Sequence, residues 1–192
     1  MTSGIFLTAA KHIKVEKPNK EDVIFLPGRG NESEYGFALR TLLRNSKGRE
    51  TLDLVTFWNT RRKTKTRHGY RPTLKLLLKK LEDADFFNPQ NRHMIIGDFN
   101  LEYQDIEKLI PDTETVLVTE DTLFKKKNPD EKGSSPDHII CSKADSDSIR
   151  FLGKDGQPVN SFKESLGFTE RHTFVKNEPV KLSDHLPLFV QI

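Results

Sequence analysis

The sequence predicts a layered α/β or α+β fold, and three observations support this class. Short apolar runs bounded by turn residues recur along the chain, as is typical of strands. Fewer helical segments lie between groups of these strands, which is typical of folds in which helices cover a sheet. At 192 residues, with no repeat or composition break, the chain is expected to form one domain, residues 1–192.

Strands are expected wherever an apolar or alternating run ends at a turn signal. The expected strands are residues 5–9, 11–15, 23–26, 35–43, 52–58, 94–98, 115–118, 137–141, 169–174 and 186–192. The sequence Asn45-Ser46-Lys47-Gly48 supplies turn chemistry, so residues 35–43 and 52–58 are expected to pair as a hairpin. A second, polar hairpin is expected over residues 143–160.

Two helices are expected. Leu74, Leu77, Leu78 and Leu81 follow i, i+3, i+4, i+7 spacing after a start at Arg71-Pro72, which predicts an amphipathic helix. A shorter helix is expected over residues 104–110, ended by the proline that follows. No apolar run approaches the roughly 18 residues of a membrane span, so none is expected.

The cysteine content and the charge distribution bear on the cellular location of the protein and on its expected partner. Cys141 is the single cysteine, which excludes an intramolecular disulfide, and an intracellular, cytoplasmic location is expected. The net charge is only +3, but residues 54–81 contain no Asp or Glu. Nine basic residues lie there: Arg61, Arg62, Lys63, Lys65, Arg67, Arg71, Lys75, Lys79 and Lys80. A phosphate-rich partner such as nucleic acid is expected, although a solvated basic loop and helix face is the plain alternative.

Three segments combine an apolar strand with a polar cluster at one end. They are Gly97-Asp98-Phe99-Asn100, Ser135-Pro136-Asp137-His138 and Leu182-Ser183-Asp184-His185. Any one of them alone is commonly structural, because caps and turns use aspartate often. Strand alternation places Asp98 and Asn100 on one side and turns Phe99 toward the core. We expect the three clusters to meet in one cleft.

Together and in this order, the three motifs resemble those of the endonuclease/exonuclease/phosphatase superfamily, which includes DNase I-like nucleases, abasic-site endonucleases and inositol-polyphosphate phosphatases. The resemblance covers roughly residues 50–192. It implies a four-layered fold in which two mixed β-sheets pack face to face with helices outside. It also implies hydrolysis of a phosphoester with Mg²⁺ or Mn²⁺.

The resemblance also implies a role for each matching residue. His185 acts beside the scissile phosphate, and Asp137 holds its other ring nitrogen. Asp98 orients the attacking water or binds metal, Asn100 donates to a phosphate oxygen, and Asp184 is a metal or water ligand. His138 is expected to be structural, because strand alternation points it away from Asp137.

The segment after the strand at residues 52–58 is expected to contact substrate. Phe57-Trp58-Asn59-Thr60 is similar to the tyrosine-and-asparagine arrangement of abasic-site endonucleases. Trp58 is a candidate for stacking on a base or sugar, although a core tryptophan is the plain alternative. The expected substrate-binding residues are Trp58, Asn59, Arg61, Arg62 and Arg71.

The chain departs from the family pattern at its beginning. Family members start with a strand carrying asparagine and a second strand ending in a metal-binding glutamate, and nothing before Ile5 matches them. We therefore expect a divergent or N-terminally truncated member that lacks the first strands and has a weak metal site. Losing central strands is expected to expose a sheet edge, which a protein partner or a rearranged N-terminus could cover.

Three functions remain open from the sequence. The first is a metal-dependent nuclease that uses a His-Asp pair on DNA or RNA. The second is a phosphatase or lipid phosphodiesterase of the same superfamily. The third is a catalytically impaired nucleic-acid-binding remnant, suggested by the missing glutamate.

Overall fold

The computed structural model describes residues 13–27, 35–45, 47–59, 70–118, 136–152, 157–159, 172–175, 178–181 and 190–191. The strands are β1 (Ile13–Val15), β2 (Val23–Pro27), β3 (Tyr35–Asn45), β4 (Glu50–Trp58), β5 (His93–Asp98), β6 (Glu114–Val116), β7 (Asp137–Ser142), β8 (Arg150–Leu152), β9 (Pro158–Val159), β10 (His172–Val175), β11 (Glu178–Lys181) and β12 (Val190–Gln191). The helices are α1 (Tyr70–Asp83) and α2 (Tyr103–Glu107).

Seven of these strands form one mixed sheet. Its order is β1-β3-β4-β5-β7-β6, and β2 pairs with β3 beside β1. The pairing of β4 with β5 is parallel, whereas the other pairings are antiparallel. A smaller sheet has the order β12-β8-β9, and β10 pairs with β11 as a hairpin. The central position of β5 places its end between β4 and β7.

The two faces of the large sheet bury different cores because side chains alternate along each strand. On one face, Val55 and Phe57 pack with Leu74 and Leu77 of α1. On the other face, the buried cluster joins the large sheet to the smaller one. Its members are Leu52, Leu54, Met94, Val118, Ile139, Cys141, Ile149 and Phe151. Helix, large sheet and small sheet are therefore successive layers of the described structure.

The expected α/β class and most expected elements are confirmed. The strand expected at residues 5–9 lies outside the described residues, and the strand expected at 186–192 is described only at Val190–Gln191. The second helix ends at Glu107, three residues earlier than expected, and Leu109 and Ile110 both donate backbone hydrogen bonds to the carbonyl of Ile106 in the turn that follows. Within the described part, no helix is long and apolar enough to cross a membrane.

A buried polar cluster lies at the start of β5, at the opposite end of this strand from Asp98. The Cα atoms of Asp53 and His93 are register partners, and Arg40 Nε donates to both carboxylate oxygens of Asp53 at 3.0 and 2.9 Å. His93 Nε2 lies 2.9 Å from Glu114 Oε2, and both side chains are almost fully buried. Burial lowers the pKa of His93, but the hydrogen bond and charge of Glu114, the backbone hydrogen bond of Asn91 and the charge of Asp145 together raise that pKa above its ordinary 6.5.

The raised pKa of His93 predicts a pH-dependent contribution to stability. The folded state holds this proton more tightly than the unfolded state, so the contribution is complete below the unfolded pKa and is lost as pH rises through the folded one. Urea unfolding at pH 6 and pH 9 should show a loss of stability in the wild type that is smaller in His93→Gln. Parallel losses in the two proteins would show that His93 is not the titrating group.

Candidate functional site

The site is built at the end of β5, where the backbone lies unusually close to β4. Gly97 has φ of +153°, and a Cβ placed on it would lie 1.8 Å from the carbonyl oxygen of Phe57. Glycine is therefore required for this approach of the two strands. The next residue, Asp98, is the register partner of Trp58 on β4.

Two carboxylates face each other at this end of the sheet. Asp98 on β5 is the register partner of Asp137 on β7, so both side chains project from the same face. Directly opposed residues of an antiparallel pair have Cβ atoms about 5 Å apart. Both residues are partly buried. Like charges so placed repel, and a cation beside them would offset that repulsion.

The loop after β5 is fixed by backbone hydrogen bonds. The Phe99 N–H donates to the Pro136 carbonyl at 2.6 Å, and the Asn100 N–H donates to Asp98 Oδ1 at 3.0 Å. Phe99 is fully buried, as expected. Asn100 is a correction to the expected alternation, because β5 ends at Asp98 and Asn100 has φ of +51°. Asparagine tolerates this left-handed conformation better than most residues.

Asn59 connects three segments around the site. Its side chain is 1% exposed, and Nδ2 donates to the carbonyls of Phe99 at 2.9 Å and Tyr70 at 3.1 Å. Its backbone N–H donates to the Asp98 carbonyl at 2.8 Å, and its own carbonyl accepts from Asn100 Nδ2 at 2.7 Å. Asn59 was expected to contact substrate. This geometry commits its two amide hydrogens within the protein and ties the end of β4 to Asp98 and Asn100, and the contact of Asn59 with substrate stays a prediction.

His138 serves the scaffold, as its position next to Asp137 on the strand suggests. Its side chain is 0% exposed, and its two ring nitrogens lie 2.7 Å from the carbonyl oxygens of Val118 and Leu101. These contacts hold the loop after β5 against the segment that follows β6. Its ring also packs edge-on against Phe99, with centroids 5.7 Å apart.

The structure brings together five of the ten residues predicted for the site. Asp98, Asn100, Asp137, Trp58 and Asn59 lie at the adjoining ends of β4, β5 and β7. Arg71 is at the start of α1, where its guanidinium pairs with Asp105 of α2, and its role in substrate binding stays a prediction. The other four lie outside the described residues: His185, Asp184, Arg61 and Arg62.

Two aromatic residues near the site carry no motif signal. Phe37 on β3 is the register partner of Trp58, and Phe25 on β2 is the register partner of Phe37. Counting outward from the pair Arg44 and Glu50 next to the turn would place Phe37 opposite Phe57. A bulge between Leu43 and Arg44 shifts the register by one residue, so the turn alone could not predict the Phe37–Trp58 pair. Phe25 could not be placed by such a count, because the sequence does not set the register of β2.

The carboxylates at the ends of β5 and β7 bear on whether the described residues could hold a metal ion. No group of three or more His, Cys, Asp or Glu side chains within the described residues could hold a metal ion. However, Mg²⁺ is commonly bound through one or two protein carboxylates, with water and substrate phosphate completing its shell. Asp98 fits that donor set, whereas Asp137 beside it is expected to hold His185.

A search of solved structures finds similar folds. Mannosyl-6-phosphatase Bt3783 of Bacteroides thetaiotaomicron VPI-5482 has a TM-score of 0.50 at 11% identity, over 73% of this chain and 55% of that one. Truncated TDP2 of Caenorhabditis elegans has a TM-score of 0.49 at 17% identity, over 80% and 62%. An endonuclease/exonuclease/phosphatase family protein of Bacteroides thetaiotaomicron has a TM-score of 0.46 at 11% identity, over 73% and 53%.

This chain therefore spans 53% to 62% of the length of these three proteins. No model of a known protein family matches the chain, and no curated protein matches it in sequence. At the identities found, structural likeness establishes fold alone. That fold agrees with the one that the motif resemblance implies: the chain has a DNase I-like fold.

Proposed function

We propose that this chain is a divalent-metal-dependent phosphodiesterase that hydrolyses DNA or RNA. The observation that carries the proposal is the opposed pair Asp98 and Asp137 at the ends of adjacent strands, with Asn100 fixed beside them. Two nearby carboxylates can hold a hard cation and orient water. A bound Mg²⁺ or Mn²⁺ would stabilise the charge that develops on the phosphate oxygens.

The proposal assigns a role to each of the three polar residues at the ends of β5 and β7. Asp98 binds the metal or orients the attacking water, and Asp137 holds the catalytic histidine, His185, in position. The Asn100 amide carries two hydrogens, and one of them goes to the Asn59 carbonyl. The second is suited to donate to a phosphate oxygen. His185 and Asp184 take their roles from the motif resemblance.

Nucleic acid is the substrate class that best fits the surroundings of the carboxylates. The basic segment begins at Arg61, three residues after Trp58, and the chain has no acidic residue from 54 to 81. A basic segment that follows an aromatic residue in the chain suits binding of a strand of phosphates and bases. A phosphatase is the second candidate, favoured by the fold likeness to mannosyl-6-phosphatase Bt3783.

The proposal predicts metal-dependent cleavage that requires His185. Labelled DNA and RNA should be cut with Mg²⁺ or Mn²⁺ and left intact with EDTA. His185→Ala should lower the rate by about 10²–10⁴, the usual contribution of an acid/base group. His12→Ala, with no expected role, is the matched control. Cleavage confined to small phosphoesters would support the phosphatase. Salt-dependent binding without turnover would identify a non-catalytic binding protein.

A further inference from the structure

Three aromatic side chains continue the row of the two carboxylates across the sheet. The register partners run Phe25, Phe37, Trp58, Asp98 and Asp137 through β2, β3, β4, β5 and β7. Register partners on neighbouring strands project from the same face. Phe25, Phe37 and Trp58, here called the aromatic row, therefore share a face with the carboxylates.

The aromatic row is open to solvent. Phe25 is 68% exposed and Phe37 is 39% exposed, and Trp58 is partly buried. The rings of Phe37 and Trp58 pack at 76° with centroids 5.4 Å apart, so they support each other. Neither phenylalanine belongs to a buried core cluster. A contiguous exposed apolar surface next to a site commonly marks binding.

The spacing of the row suits a nucleic-acid strand. Neighbouring strands lie about 4.8 Å apart, so Trp58, Phe37 and Phe25 stand about 5, 10 and 15 Å from Asp98. Aromatic side chains on an open sheet surface are known to stack two or three bases. The rings thus begin beside the carboxylates, where a phosphate would lie, and extend away from them.

The basic residues that follow Trp58 in the chain favour a negatively charged partner for the aromatic row. The aromatic row ends at Trp58, and the next basic residues in the chain are Arg61, Arg62, Lys63 and Lys65. A strand that carries both planar bases and phosphates is complementary to rings and charges together.

We propose that the aromatic row is a stacking platform for unpaired bases of the strand whose phosphate lies against Asp98 and Asp137. Only unpaired bases expose their faces to such rings, so the platform selects single-stranded over duplex substrate. The proposal rests on the proposed nuclease function and adds to it Phe25 and Phe37 as substrate-binding residues. It makes β2 and β3 part of the site.

The test compares binding of two labelled single-stranded oligonucleotides, one normal and one with abasic positions, in EDTA. Phe25→Ala and Phe37→Ala should weaken binding of the normal strand by about 5- to 150-fold, the effect of losing a base–aromatic stack. Binding of the abasic strand should be unchanged. Phe25→Leu and Phe37→Leu keep apolar bulk, so they test the ring in case alanine disturbs folding. Val15→Ala, at a residue of β1 that is as exposed (40%) as Phe37, is the matched control.

Equal losses on both oligonucleotides, or a similar loss in Val15→Ala, would overturn the platform. Self-association of the wild type that Phe25→Ala abolishes, with oligonucleotide affinity unchanged, would assign the surface to a second copy and also overturn it. The experiment distinguishes failure of the stacking platform from failure of the proposed nuclease function. Base-dependent binding without hydrolysis retains the platform and rejects the nuclease, whereas hydrolysis unaffected by both substitutions retains the nuclease and rejects the platform.

Discussion

Asp98→Asn is expected to lower the rate of phosphodiester hydrolysis by about 10²–10⁴ without loss of stability. Asparagine has nearly the same shape as aspartate and keeps an oxygen that accepts the Asn100 N–H, which lies 3.0 Å from Oδ1. The substitution removes the negative charge and replaces the second carboxylate oxygen, Oδ2, with an amide NH2 group. That charge is what would hold the metal or orient water, so activity should fall while the loop after β5 keeps its geometry.

Stability gives this prediction a second readout. Asp98 faces Asp137 across neighbouring strands, so removing one charge relieves their repulsion. In EDTA, the free energy of unfolding of Asp98→Asn should therefore equal or exceed that of the wild type. Asp83→Asn, at an exposed residue of α1, is the control for charge removal at a distance. A variant that is destabilised, or that retains wild-type turnover, would contradict the assignment of Asp98.

Added metal should reverse the order of stability. A cation held at Asp98 would stabilise the folded wild type by mass action, and Asp98→Asn lacks the charge that would hold it. Raising Mg²⁺ or Mn²⁺ should thus raise the melting temperature of the wild type more than that of the variant. This comparison needs no substrate, so it examines the metal site independently of activity.

The sequence predicted the elements of this fold well because burial leaves a periodic pattern. Leu74, Leu77, Leu78 and Leu81 were expected on one helical face, and all four are buried against the sheet. The polar ends of β5 and β7 were recognised from their motifs. These signals are local, so they can be seen without knowing which strands are neighbours.

The hydrogen bonds of Asn59, in contrast, leave no local pattern in the sequence from which they could be predicted. An asparagine after a strand serves equally as a turn residue, a cap or a substrate contact. Its hydrogen bonds to Phe99 and Tyr70 depend on how β4, β5 and α1 pack, and packing is not encoded in any short stretch. The alignment of Phe25 with Asp137 is hidden for the same reason, since it requires the register of four strand pairs.

Gly97→Ala is expected to destabilise the protein by about 4 kcal/mol or more, within the exceptional range for one substitution. A Cβ there would lie 1.8 Å from the Phe57 carbonyl oxygen and 2.8 Å from its carbon. Both atoms belong to the backbone of β4, so no side chain can move aside to relieve the clash. The φ of +153° adds strain that residues with a Cβ rarely tolerate.

Gly48→Ala is the control for Gly97→Ala, because it introduces backbone strain without steric overlap. Gly48 also has a positive φ, +74°, but nothing lies within 4 Å of its Cβ position. Its replacement should therefore give only the conformational penalty of about 1–2 kcal/mol. Equal losses in the two variants, measured by urea unfolding, would show that the approach of β5 to β4 is looser than the structure indicates.

The fluorescence of Trp58 can show whether Gly97→Ala displaces β5 from β4. It is the only tryptophan of the chain and is the register partner of Asp98, directly after Gly97. If the added methyl group forces β5 away from β4, the intrinsic fluorescence of Trp58 should change in the folded variant, whereas Gly48→Ala should leave the spectrum unaltered. Because the same separation displaces Asp98 from Trp58, base stacking and hydrolysis should both be lost in the fraction of Gly97→Ala that remains folded.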